Sequence, residues 1–110
     1  MKIVNRIKES NDFALTIKKG KAYRNDSFVI HIAQNNLPYT RVGLSVSTKI
    51  GNAVIRNRVK RQIRAMVDNL IDYSAQSLDI VIIARKHFLD VAFNDNKSLL
   101  SELLNTGRIN

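Results

Sequence analysis

Between Gly51 and Arg64 the chain carries five cations, Arg56, Arg58, Lys60, Arg61 and Arg64, and no acidic residue. Groups of this kind at this density suit one chemistry above others: they bind phosphate oxygens, which guanidinium forks engage bidentately. The apolar residues of the same stretch determine how the cations are displayed. Ile55, Val59, Ile63, Met66 and Leu70 recur at spacings of three and four, the stripe of an amphipathic helix. On a wheel of about 100° per residue centred on Val59, these five stay within roughly 40° on either side. Asn57, Lys60, Arg61 and Arg64 fall between about 100° and 200°, Arg58 near about 260°, and Arg56 at the stripe's edge near about 60°. A charge run is ordinarily a solvated helix face, but such faces interleave acidic partners at i,i+4. Here like charges crowd together with no acid between them, and a bound polyanion offsets that repulsion. The pattern predicts nucleic-acid binding.

Hydrolytic chemistry needs a general base, a carboxylate cluster that holds metal, or both. The two histidines, His31 and His87, lie on different elements, and neither neighbours an acidic residue. The acids sit mostly in the second half, on turns and helix ends, without an Asp-x-Asp pair. Asp68 follows Arg64 by four residues and reads as its ion partner. No glycine-rich phosphate loop, Ser-His-Asp set or zinc spacing is present. The expectation is therefore no catalytic residue and no metal ligand in the protein itself.

The elements that position the cations belong to a chain of 110 residues, expected to form one domain over 1–110. A 45% hydrophobic and 25% charged composition is that of a globular protein, and without cysteine there is no disulfide framework or thiolate metal site. No signal-peptide-like start and no membrane-length apolar run is present, which together with the absent cysteines suits a cytoplasmic protein without an obligate protein partner. Net charge is +9, divided unevenly: residues 1–64 hold 14 Lys and Arg against 3 Asp and Glu, residues 65–110 hold 4 against 6. One electropositive face is implied.

In chain order, Met1–Glu9 reads as a basic arm that packs through Ile3 or Ile7. Ser10 is a candidate N-cap for a short helix with Asp12 in its first turn, Phe13 and Ile17 on one face, and Gly20 as a left-handed stop. A first strand fits around Ala22–Arg24. Ser27–Ala33 alternates, with Phe28, Ile30 and Ile32 on one face and Ser27, Val29 and His31 on the other. Gln34–Tyr39 reads as a hairpin loop leading to a second alternating run, Arg41–Ser47, whose Val42, Leu44 and Val46 point inward. Its other face is small and polar, and Gly43 admits a ligand backbone, so an open, shallow groove is expected there. Asn52 is the expected N-cap of the basic helix. Leu78–Ala84 contains Ile80-Val81-Ile82-Ile83, a buried inner strand. Asn94 is the candidate cap of a last helix with Leu99, Leu100, Leu103 and Leu104 inward and Gly107 at its end. The fold expected is an α+β (α/β) sandwich: a single, mainly antiparallel four-stranded sheet with helices, in the order α-β-β-β-α-β-α.

Arg-Val-Gly-Leu-Ser-Val-Ser-Thr-Lys-Ile-Gly-Asn-Ala-Val-Ile-Arg-Asn-Arg-Val-Lys-Arg-Gln-Ile-Arg, residues 41–64, resembles the signature of the bacterial ribonuclease P protein subunit. That signature is a strand, a short loop and a helix opening with Arg-Asn-Arg, here Arg56-Asn57-Arg58. The resemblance extends over nearly the whole chain. It implies a left-handed crossover through the basic helix, where βαβ statistics favour the opposite hand. It also implies an accessory role in an endonuclease that cuts the 5′ leader from precursor tRNA, with catalysis and bound Mg2+ in the RNA subunit. The residues implied to bind that RNA are Lys49, Asn52, Arg56, Asn57, Arg58, Lys60, Arg61 and Arg64. A cleft between the first helix and the sheet is implied to take the leader, bringing in Phe13, Ile17, Val29, His31, Arg41 and Ser45. Ile17 and His31 stand where family members frequently carry aromatics, which weakens base stacking in that cleft. Two other readings explain part of the pattern. A ribosomal or RNA-chaperone protein accounts for the charge but not the groove, and a stand-alone nuclease lacks the catalytic residues.

Overall fold

The computed structural model describes residues 1–109. After a 3-10 turn at Ile3–Asn5 come α1 (Ser10–Lys19), β1 (Lys21–Arg24), β2 (Phe28–Gln34), β3 (Arg41–Ser45), α2 (Ala53–Leu70) and β4 (Leu78–Ala84). A second 3-10 turn, Lys86–Asp90, precedes α3 (Phe93–Thr106). The four strands form one sheet in the order β1-β2-β4-β3. β1 with β2 and β2 with β4 are antiparallel, whereas β3 and β4 are parallel.

The expected hairpin between the second and third strands therefore does not form. β4 inserts between them, and residues 35–40 cross from one side of β4 to the other. The physical reason lies in β4 itself. Its Ile80, Val81 and Ile82 are fully buried, so the strand is covered on both faces, and its interior place gives it backbone partners on both edges. The 18 residues of α2 supply the long connection that a parallel pairing requires. The sheet is mixed, and its antiparallel pairings are in the majority.

One face of the sheet carries the main core. Phe28, Ile30, Val42, Ile80, Ile82 and Ala84 pack there against Val59, Ile63, Met66 and Val67 of α2 and Leu100, Leu103 and Leu104 of α3. Phe28 meets Phe88 edge to face at 5.6 Å between ring centroids. The N-terminal arm packs through Ile7, which is 7% exposed, and not through Ile3, which is 65% exposed. The Ile7 N–H donates to the Val42 carbonyl at 3.1 Å, and Arg6 pairs with Val42, so the arm covers the outer edge of β3.

The helix ends differ from expectation in three places. Asn52 does cap α2, its side chain accepting from the Ile55 N–H at 3.0 Å. The N-cap of α1 is Glu9, not Ser10, and that of α3 is Ala92, not Asn94; neither makes a side-chain capping bond. Asn96 supplies the order at the second site: its buried amide donates to the carbonyls of Phe88 and Val91. Gly107 ends α3 as expected, with a negative φ, whereas Gly20 is extended and is not a left-handed stop. The residue that takes positive φ after α3 is Arg108, at 58°. Gly20 is required by proximity instead, because a Cβ there would lie 2.5 Å from the Thr16 carbonyl oxygen.

The division of α2 into an apolar and a cationic face predicts opposite responses to substitution. Ile63→Ala lowers unfolding stability by about 2–5 kcal/mol, while Arg61→Ala leaves it within about 0.5 kcal/mol, as urea denaturation will show.

Candidate RNA-binding surfaces

Helix α2 turns Val59, Ile63, Met66 and Val67 into the core and leaves Asn57, Arg58 and Arg61 exposed, with Arg56, Lys60 and Arg64 partly so. Among the described residues, no ion pair involves Arg56, Arg58, Lys60, Arg61 or Arg64. Arg56 folds back, its Nε donating to the Gly51 carbonyl at 3.2 Å. Val54, Asn57, Lys60, Arg61 and Arg64 line a shallow concavity of about 450 Å³ whose lining contains no acid. Lys49, in the turn before the helix, is exposed, while Asn52 spends its side-chain oxygen on the cap.

Asp68 does not pair with Arg64. Its carboxylate accepts from the Met1 amine and from the Tyr73 hydroxyl, the latter at 2.8 Å. Burial pushes the Asp68 carboxyl up, but the hydrogen bonds from the amine and from Tyr73 outweigh it and hold the group below its ordinary value. A cation four residues before an acid is the weaker helix orientation, and a tertiary partner wins. The consequence for α2 is that Arg64 stays available.

The second surface lies on the other side of the sheet, where α1 packs against β2 and β4. Val81 is fully buried on this face, outside the main core. Register places Val81 between His31 of β2 and Gly43 of β3. Phe13 of α1 lies over Gly43 so closely that a Cβ there would sit 2.5 Å from the ring. The groove expected along this face is thus narrower than its small side chains suggested, because α1 covers the rows of Asp79 and Val81. Val29 and Ser45 remain partly exposed, and Ile17 is 39% exposed on α1. His31 is also partly exposed, but its Nδ1 is buried without a hydrogen-bond partner.

Arg41 is placed on this face, but its donors are occupied. Nε and Nη2 engage both carboxylate oxygens of Asp79, at 2.9 and 2.6 Å, and Nη1 reaches Asp12 of α1 at 3.3 Å. Asn35 completes the set by donating to Asp79 at 2.8 Å. The Asp79 hydrogen bond, opposed by burial, holds the Arg41 guanidinium above its ordinary value. Arg41 therefore ties α1 to the sheet, one residue from Phe13. The signal for this was in the sequence only as an unassigned acid, Asp79, inside an apolar strand.

The two surfaces meet. A small cavity of about 120 Å³ is lined by Phe13, Gly43, Arg6, Lys60 and Arg64, among others. Sequence reasoning kept Phe13 and the helical cations apart and missed Arg6, whose only signal was the basic character of the arm. Among the described residues no group of three or more His, Cys, Asp or Glu is placed to hold a metal ion, and Asp12 and Asp79 are both committed to Arg41. His87 and Asp90 stand 4.0 Å apart, too far for a hydrogen bond. No helix among the described residues is long and apolar enough to cross a membrane.

The clamp predicts a graded loss of stability. Arg41→Ala strands the Asp79 carboxylate and costs about 3–5 kcal/mol, whereas Asp12→Ala, at the exposed arm of the network, costs under about 1 kcal/mol in the same denaturation assay.

Comparison with known proteins places the chain among relatives of one family. The ribonuclease P family model matches residues 1–107. A ribonuclease P protein component from Bacillus cereus (strain 03BB102) is 44% identical over 101 residues, 91% of this chain and 88% of that one. One from Mesoplasma florum is 42% identical over 105 residues, 94% of this chain and 96% of that one. Among solved structures, the Staphylococcus aureus RNase P protein superposes with a TM-score of 0.86 at 34% identity, covering 96% of each chain. The Thermotoga maritima RNase P protein gives 0.80 at 34% identity, covering 96% of this chain and 97% of that one.

Proposed function

The chain belongs to the ribonuclease P protein family, the protein component of an RNA-partnered endoribonuclease in tRNA 5′ processing, and from that premise we propose a division of labour between its two surfaces. The exposed face of α2 docks on the RNA subunit through Arg56, Asn57, Arg58, Lys60, Arg61 and Arg64, extended by Lys49 and Asn52 at the helix start. The observation that carries this reading is the row of cations that have no ion-pair partner among the described residues and lie over a concavity lined by no acid. Each such cation that meets a phosphate displaces condensed counterions, and this release drives sequence-independent binding.

The cleft between α1 and the sheet receives the single-stranded 5′ leader of precursor tRNA. Phe13 offers its ring for stacking, Val29, His31, Ile17 and Ser45 form the walls, and Arg41 acts through α1 by holding Phe13 in place. Lys60, Arg64 and Arg6 bring phosphate-binding charge to the same cavity. Bond breaking belongs to the RNA, with the Mg2+ it holds. Among the described residues no carboxylate cluster is placed to hold a metal ion, and the contribution assigned to the protein is charge, orientation and a shaped groove. The setting is the cytoplasm, where precursor tRNA is available. A purely structural RNA-binding role explains α2 but leaves the clamped cleft without purpose.

Reconstitution with the cognate RNA tests the whole assignment: the protein lowers the magnesium requirement and raises precursor affinity, and protein purified free of RNA cleaves nothing. Replacing Arg61 or Arg64 flattens the slope of log K against log[salt] by up to about one per lost phosphate contact. An unchanged slope removes that residue from the interface. Phe13→Ala spares binding to the RNA subunit and weakens precursor binding by about 1–3 kcal/mol, and an equal loss with leaderless tRNA refutes the leader cleft.

A further inference from the structure

Helix α1 leaves one strip of the sheet face open, and the strand register shows where it leads. Ser45 of β3 is opposite Ile83 of β4, Ile83 is opposite Val29 of β2, and Val29 is opposite Arg24 of β1. These residues form one row across all four strands, about 14 Å long at the usual strand spacing. Ser45, Ile83 and Val29 are all partly exposed. The row starts on the strand that leads into the basic helix and ends on the outermost strand of the sheet.

Arg24 stands at that far end. Its neighbour Tyr23 packs against the core, so strand alternation puts Arg24 on the side of the open strip. It is exposed and forms no ion pair among the described residues. Arg85 joins it from the end of β4, two residues beyond Ile83, its Nη1 donating to the Asn25 carbonyl at 2.8 Å. The one acid in the intervening turn, Asp26, pairs with neither arginine. A shallow strip that begins two residues along β3 from the cavity of Arg6, Lys60 and Arg64 at Gly43, and ends at Arg24 and Arg85, is an arrangement that tracks a single strand. We propose that Arg24, with Arg85 beside it, is a second phosphate-binding position, and that the precursor's leader crosses the sheet from Ser45 to Arg24.

This rests on the leader cleft above and adds a direction and a length to it. A lone arginine on an edge strand otherwise serves to keep that edge from pairing with other chains, a role with no dependence on the leader. The test uses the holoenzyme reconstituted with its RNA subunit and precursors whose leaders are shortened one nucleotide at a time. With long leaders, Arg24→Ala weakens precursor binding about fourfold near physiological salt and reduces the salt slope by about 0.7. The difference disappears once the leader is too short to span the sheet, while the Phe13→Ala effect persists to shorter leaders. Arg24→Lys retains most of the affinity, because a point charge suffices for a phosphate. If Arg24→Ala has no effect at any length, or the same effect on leaderless tRNA, the crossing path is wrong. If Phe13→Ala is also independent of the leader, the cleft itself is wrong, so the two failures are distinguishable.

Discussion

The constraint on which the rest depends is the burial of α2's apolar stripe. Val59, Ile63, Met66 and Val67 are within 1% of full burial between the sheet and α3. Each contributes about 1.5–3 kcal/mol on leaving water, so rotating the helix by one residue would cost most of that and drive cations into the core. Hydrophobic packing therefore fixes where the charges point. Neighbouring cations at i,i+3 and i,i+4 repel by only a few tenths of a kcal/mol each, which the fold tolerates easily. The cationic face is thus held in a mildly unfavourable state by a much larger apolar term, and a phosphate chain relieves it.

On the opposite side of the sheet a different balance operates. α1 is short and could not hold a fixed position by helix propensity. Its position is set by Phe13 lying on Gly43 and by Arg41 bridging Asp79 and Asp12. A buried ion pair of this kind gains little net stability over an apolar substitute, but it fixes geometry, since an Asp79 without its guanidinium is costly. That the clamp and the ring are adjacent in sequence makes the cleft a single mechanical unit. The same pairing removes two carboxylates from the cleft's field, leaving the shared cavity with Arg6, Lys60 and Arg64 electropositive.

Much of this was legible because it is written in local periodicity. The stripe Ile55–Leu70, the alternation of Phe28, Ile30 and Ile32, the apolar run of β4 and the Asn52 cap depend on residues a few positions apart. What could not be read depends on distant partners. Nothing between Gln34 and Tyr39 says that β4, more than thirty residues on, will take the place beside β2. Ser10 and Asn94 are good caps by type, yet docking moved both helix starts, and Asn96 bonds to two carbonyls of the preceding segment. Asp68 had a plausible neighbour in Arg64, but a tyrosine and an amine from elsewhere outcompeted it. Arg41 was placed on the correct face, but its commitment to Asp79 needed the parallel register of β3 and β4 to become visible.

The arrangement of charge also decides how the molecule meets its partner. Because α2 packs on α3 with its apolar stripe, its cations face away from the helix that carries Asp95 and Glu102. The half of the chain after Ala65 contributes net negative charge and the half before it a large positive excess, so the folded protein is a dipole as well as a cation. A polyanion at a distance of about one Debye length, roughly 8 Å at physiological salt, feels that dipole before any contact forms. Approach with α2 leading is the more strongly attracted, because α3 sets one cation, Lys97, against Asp95 and Glu102. The cleft between α1 and the sheet is joined to the cationic face of α2 through the cavity at Phe13, so a polyanion drawn to α2 meets that cleft beside it.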